Sequence, residues 1–210
     1  MTILYLHGFA SGPRSTKGVA FAEHFARLGI AIERLDLRVP SFEHLRLSAM
    51  IETTRAAIRG PTIAIGSSLG GLTAARVAAL DDRITALVLM APAFQLAARW
   101  RERLGRDLDT WRDTGWLEVD DYATGGRSRV DFGFFEELQR VDAGWPDVRV
   151  PTLVFHGTRD DVVPIANSRA FAATRPHVRV RELDDGHELA ASLPTLLAES
   201  EQFLATYYGK

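Results

Sequence analysis

Gly66-Ser67-Ser68-Leu69-Gly70 places a serine between two glycines, after an apolar run (Thr62 to Ile65) and before small residues suited to a helix (Gly71 to Ala78). A strand that turns so sharply into a helix lifts the central serine out of the sheet with its oxygen exposed. The glycines remove side chains that would strike the neighbouring backbone. Such a serine is placed to attack an acyl carbon, but its hydroxyl is inert until a base takes the proton and a third group orients that base. Asp160 closes His156-Gly157-Thr158-Arg159-Asp160 after one apolar run, and His187 lies in Asp184-Asp185-Gly186-His187-Glu188 after another. Serine, acid and histidine thus follow in the order expected for a G-x-S-x-G nucleophile. Ser68 is the candidate nucleophile, His187 the candidate base and Asp160 the candidate acid. Asp161 is the rival acid, set second because Asp161-Val162-Val163-Pro164 reads as the turn into the next helix. Alone, His187 would read as a solvated loop histidine; with Ser68 and Asp160 in order it reads as a base.

Attack on a carbonyl creates an oxyanion, which needs two backbone donors. The amide of Leu69 follows the nucleophile at the positive end of the helix that starts there. The second is expected from His7-Gly8-Phe9, where Gly8 permits close approach and Phe9 supplies the amide. By chance a chain of this length should carry about 0.07 G-x-S-x-G matches, so the weight of the motif comes from the elements around it.

Those elements alternate. Strand-like runs at Ile3–Leu6, Ile30–Leu37, Thr62–Ile65, Ile84–Met90, Pro151–Phe155 and Val178–Leu183 are separated by helical patterns over Ser15–Leu28, Leu45–Ile58, Gly71–Ala78 and Ile165–Thr174, with a last one over Glu188–Tyr207. This predicts an α/β protein with three layers and a mostly or fully parallel sheet of about six strands. Right-handed crossovers then bring the residues after each strand to one rim: His7-Gly8-Phe9, Asp36, Ser68, Ala91-Pro92, Asp160 and His187. The whole chain, 1–210, is expected to be one domain with a cap inserted at about 93–150. That stretch holds all four tryptophans (Trp100, Trp111, Trp116, Trp145) and no strand-length apolar run. Within it, Phe94–Leu104 reads as a helix stopped by Gly105, and Trp116–Tyr122 and Arg127–Phe132 as a hairpin. Phe134–Val141 reads as a further helix. Its aromatics are expected to serve as core and to give the pocket one apolar wall.

Composition narrows the partners. At 210 residues, 46% hydrophobic and a net charge of -2, the chain can bury one sizeable core and offers no general pull toward nucleic acid or anionic membrane. Lysine occurs only at Lys17 and Lys210, and cysteine not at all. That excludes disulfides, thiolate catalysis and Cys-ligated metal, and suits a soluble cytoplasmic protein without a membrane span. The remaining histidines, His7, His24, His44, His156 and His177, show no metal-ligand spacing, and His7 and His156 read as buttresses of the loops after their strands. Neither a P-loop nor a dinucleotide G-x-G-x-x-G is present. No metal and no cofactor are expected.

At His7-Gly8-Phe9, Gly66 to Gly71, His156 to Asp160 with Val163-Pro164, and Gly186-His187, the chain resembles the α/β-hydrolase family. At Leu4 to Phe9, Ser11 to Lys17 and Gly66 to Gly71 it is similar to small bacterial YqiA-like esterases. The resemblance implies a Ser68–Asp160–His187 triad acting on short acyl esters or thioesters. The expected activity is a serine carboxylesterase for short to medium acyl groups; the alternatives are a thioesterase, amidase or C–C bond hydrolase with the same triad, or a non-catalytic binding protein on that scaffold. The two extra N-terminal strands of larger relatives are not expected, and no residue of the cap carries over.

Overall fold

Buried apolar runs become strands, and amphipathic stretches between them become helices. A computed structural model of the chain describes residues 1–208; Gly209 and Lys210 lie outside them. Along the chain come β1 (Thr2–Leu6), α1 (Thr16–Ala26), β2 (Ile32–Leu35), α2 (Leu47–Ala57), β3 (Thr62–Ser67), α3 (Leu69–Ala78) and β4 (Ile84–Met90). Next are α4 (Leu96–Leu104), α5 (Arg106–Thr114), the hairpin β5 (Trp116–Asp121) and β6 (Gly126–Asp131), and α6 (Phe132–Val141). The chain then runs through β7 (Thr152–Gly157), α7 (Ile165–Ala173), β8 (Val178–Leu183) and α8 (Leu193–Tyr208).

The main sheet has the order β2-β1-β3-β4-β7-β8, and every neighbouring pair is parallel. Because strand side chains alternate in direction, each strand feeds two cores. Ile3, Tyr5, Ile63, Ile65, Val88, Met90 and Phe155 pack with Phe21 and Phe25 of α1 and Leu196 and Leu204 of α8. Leu4, Leu6, Ala64, Leu87, Leu89 and Val154 pack on the other face with α2, α3, Phe171 of α7 and the segment between β4 and β7. Continuous burial explains why β3 and β7 read as unbroken apolar runs, every residue of each being buried.

From β1 the chain passes to β2 on one side and then returns to β3 on the other. The crevice at the carboxyl ends of β1 and β3 is therefore a switch point, the place where such sheets hold their ligands. Register aligns the rim. Leu6 pairs with Gly66, Ser67 with Met90, Met90 with Phe155 and Gly157 with Leu183, so the residues that follow emerge together.

Gly105 ends α4 as expected, and the chain continues into a further helix with no expected counterpart, α5 over Arg106–Thr114; it is mostly polar, and Trp111 is its buried residue. Two expectations need correction. β2 spans only Ile32–Leu35, because the Leu37 amide leaves the ladder to donate to His7 Nε2 (3.0 Å). The last helix begins at Leu193 rather than Glu188. Asp185 captures the Gly186 amide (2.8 Å) and the Ser192 amide (2.9 Å), holding residues 186–192 as a loop.

Candidate active site

The turn from β3 into α3 forces its own geometry. Ser68 has φ 52° and ψ -115°, a region L residues rarely occupy. Its amide donates to the Met90 carbonyl (2.9 Å), and its own carbonyl accepts from the amides of Gly71 (2.9 Å), Leu72 (3.1 Å) and Ala93 (3.0 Å). A Cβ on Gly66 would overlap the backbone of Gly70, and one on Gly70 would overlap the carbonyls of Leu6 and His7. The glycines therefore let α3 lie against β1 and β3 while the half-buried Ser68 side chain points out of the sheet.

The loops after β7 and β8 meet it there. His187 Nε2 lies 3.0 Å from Ser68 Oγ, and His187 Nδ1 lies 2.8 Å from Asp160 Oδ2. The other oxygen, Oδ1, accepts from the amides of Val162 (2.9 Å) and Val163 (2.8 Å). His156 Nε2 approaches Oδ2 to 3.2 Å, and the Asp160 side chain has no exposed surface. Burial pushes the Asp160 carboxyl up, but the contacts from His156 and His187, the charge of His187 and the Val163 amide outweigh it and hold the group well below the ordinary carboxylate range. An ionised carboxylate fixes a proton on Nδ1 of His187 and leaves Nε2 free to accept the serine proton. Asp161, the rival, is exposed on the turn beyond.

The third side is the loop after β1. A Cβ on Gly8 would sit 3.3 Å from Ser68 Cβ, so the loop passes close to the nucleophile. The amides of Phe9 and Leu69, the two expected oxyanion donors, have no acceptor among the described residues. His7 is buried, and burial lowers its pKa. Its Nδ1 donates to the Gly8 carbonyl (2.9 Å) and its Nε2 accepts from Leu37, so it braces the loop as a neutral ring. The ring of Phe9 joins the β4–β7 segment, stacked with Phe134 at 6.1 Å and edge-on to Trp100 at 5.3 Å. The hairpin tip reaches the same loop through the Ala123 amide and the Ala10 carbonyl (3.3 Å), and is anchored by two 2.8 Å hydrogen bonds from Arg38 to the buried carboxylate of Asp121. Phe9, Leu69, Leu37, Phe42, Leu45 and Met50 line a small, partly open cavity of about 10 Å³, the size of one water.

Sequence reasoning passed over one residue near the site. Lys17 Nζ donates to the Glu188 carbonyl (2.6 Å) and to its carboxylate (3.0 Å), tying α1 to the residue after His187. Its signal was a lone internal lysine in an arginine-rich chain. His156, expected as a buttress of its loop, is fully buried, with Nδ1 paired to Ser168 Oγ (2.7 Å) and Nε2 donating to the Val163 carbonyl (2.9 Å). Among the described residues no cluster of His, Asp or Glu is arranged to hold a metal ion, and no helix is long and apolar enough to cross a membrane.

Residues 2–198 match the family described as "Uncharacterised protein family (UPF0227)". No curated protein matches the sequence. Solved structures are similar over nearly the full chain. Alpha/beta hydrolase domain-containing protein 10 from mouse has 22% identity and a TM-score of 0.81, with 98% of this chain and 90% of that chain covered. Est1E from Butyrivibrio proteoclasticus has 22% identity and a TM-score of 0.76, covering 100% and 88%. A structure of the metagenome-derived lipolytic enzymes LipS and LipT has 19% identity and a TM-score of 0.75, covering 98% and 94%. At these identities the likeness is one of fold, and that fold is the α/β-hydrolase fold.

Proposed function

The chain belongs to the uncharacterised protein family UPF0227, and from that membership and the geometry around Ser68 we propose that it is a serine hydrolase of carboxylic esters. The observation that carries the proposal is the unbroken path from Ser68 Oγ through His187 to Asp160, at 3.0 and 2.8 Å, between side chains from three separate loops. Ser68 attacks the acyl carbon as its proton passes to His187 Nε2. Asp160 holds the ring and stabilises the imidazolium that results. The amides of Phe9 and Leu69 receive the negative charge that develops on the carbonyl oxygen. Collapse expels the alcohol, which takes its proton from His187. Water then cleaves the acyl-enzyme by the same steps in reverse, returning acid, free Ser68 and neutral His187.

The segment of about 93–150 acts in this reading as a cap within a single domain, its half-buried Trp100 forming the apolar wall beside Phe9 with the buried Phe134 behind it. The substrate is a small-molecule ester of short to medium acyl length. Thioester, amide and C–C bond cleavage would use the same groups, so a substrate panel separates them. A cysteine-free chain has no thiol for a reducing compartment to maintain, which suits a cytoplasmic site of action. The test is Ser68→Ala assayed on nitrophenyl esters of increasing acyl length. Turnover should disappear in a protein that still folds; turnover equal to that of the unaltered chain would overturn the proposal.

A further inference from the structure

We propose that Arg99, on α4 of the β4–β7 segment, is a positioning residue that acts through Asp160. The inference rests on the esterase reading above and adds to it a residue from outside the triad.

The argument comes from two peptide planes. In a trans peptide the N–H and the C=O are held rigidly on opposite sides of one plane. The plane joining Asp161 to Val162 donates its N–H to Asp160 Oδ1 at 2.9 Å, and the plane joining Val162 to Val163 donates its N–H to the same oxygen at 2.8 Å. Arg99 takes hold of the opposite edge of both. Its Nη2 donates to the Asp161 carbonyl at 3.0 Å and its Nε to the Val162 carbonyl at 3.1 Å. One guanidinium therefore fixes both planes whose other edges fix the carboxylate. The grip on Oδ1 sets the rotation of the carboxyl group, and that rotation aims Oδ2 at His187 Nδ1, 2.8 Å away.

Other contacts fit this assignment. The guanidinium side chain is 23% exposed, and its remaining nitrogen, Nη1, meets Glu102 at 3.1 Å. The next carbonyl along the turn, that of Val163, is held from below by His156, so all three carbonyls of residues 161–163 have side-chain donors. Nearby, Asn167 Nδ2 donates to the Phe94 carbonyl at 2.9 Å, a second tie between the start of the β4–β7 segment and the acid's side of the sheet. Two carbonyls on successive peptides need a planar fork with fixed spacing, which Arg provides and Lys does not.

The experiment compares Arg99→Leu and Arg99→Lys with the unaltered chain and with Asp160→Asn, using a nitrophenyl acetate assay. A misaimed catalytic group costs on the order of 10- to 100-fold in rate. Arg99→Leu should lower kcat in that range with KM within about twofold, because no substrate contact is removed. Arg99→Lys, which keeps the charge and the stem, should recover only a small part, and it keeps the test decisive should the leucine variant fail to fold. The low-field proton resonance of His187 Nδ1–H should move upfield and broaden in both. In an Asp160→Asn background, Arg99→Leu should cost nothing further, since groups acting as a unit are not additive. A kcat within twofold of the unaltered chain in folded Arg99 variants would overturn the inference, as would an equal fold-loss in the Asp160→Asn background. Ser68→Ala, assayed alongside, separates the two conclusions: if it abolishes turnover while the Arg99 variants are unimpaired, the esterase reading stands and the role of Arg99 falls.

Discussion

Replacing Ser68 by glycine should leave the protein inactive and more stable than replacing it by alanine. Both substitutions remove the hydroxyl and its hydrogen bond to His187, so their difference isolates the backbone. At φ 52° and ψ -115° an L residue carries strain of roughly 1–3 kcal/mol, which glycine does not feel. Against that, glycine loses about 0.5–1 kcal/mol more conformational freedom on folding than alanine. The balance favours glycine by about 1 kcal/mol, equivalent to a rise in Tm of about 2–4 °C for a chain of this size. The three hydrogen bonds to the Ser68 carbonyl and the one from its amide belong to the backbone and are common to both variants. Calorimetry or urea unfolding of the two proteins at neutral pH reads the difference directly. A Ser68→Gly protein no more stable than Ser68→Ala would refute the claim that this backbone is strained and held by its surroundings.

Acid titration should expose Asp160 a second way. Its carboxyl is held low in the folded protein, so the stability it contributes is complete above about pH 5 and drains as pH falls past about 3.9, where an unfolded Asp gains its proton; Asp160→Asn should flatten that part of the stability–pH curve. Asp121, held at about 2 by the paired hydrogen bonds of Arg38, contributes about 2 kcal/mol on the same reasoning. The difference in urea stability between the unaltered chain and Asp121→Asn should therefore be present at pH 6 and shrink steadily toward pH 2. Gly70→Ala pushes a methyl group into the Leu6 and His7 carbonyls and should cost about 3 kcal/mol or prevent soluble expression, whereas Gly60→Ala, with open space around it, should be tolerated.

The parallel sheet was legible because β3, β4 and β7 are buried on both faces and so read as unbroken apolar runs. Ser68 was legible because the space at Gly66 and Gly70 leaves no alternative to glycine, a local constraint that shows in the letters. The helix α5 was not, since its polar surface hides a single inward residue, Trp111, and Gly105, which ends α4 as expected, also starts α5. Choosing Asp160 over Asp161 needed only positional logic, and the contact with His187 Nδ1 falls on Asp160. The approach of Arg99 to the turn at 161–163 had no such signal. It depends on a side chain some 60 residues away meeting main-chain carbonyls, and any residue type can supply a carbonyl.

The aromatic contacts around Phe9 give the chain an internal optical reporter. Trp100 lies edge-on to the Phe9 ring at 5.3 Å, so its indole adjoins the loop that would receive the oxyanion. Trp111, buried with its N–H on the Val130 carbonyl, packs against Trp100 at 5.5 Å, whereas Trp116 lies under the Arg129 guanidinium and Trp145 rests against Phe94 and Phe171. Emission from the Trp100–Trp111 pair should therefore respond to what binds beside the Phe9 loop, with Trp116 and Trp145 as background. On the esterase reading, acylation and deacylation should then register as fluorescence transients in the native protein, with no dye attached and whatever the colour of the leaving group.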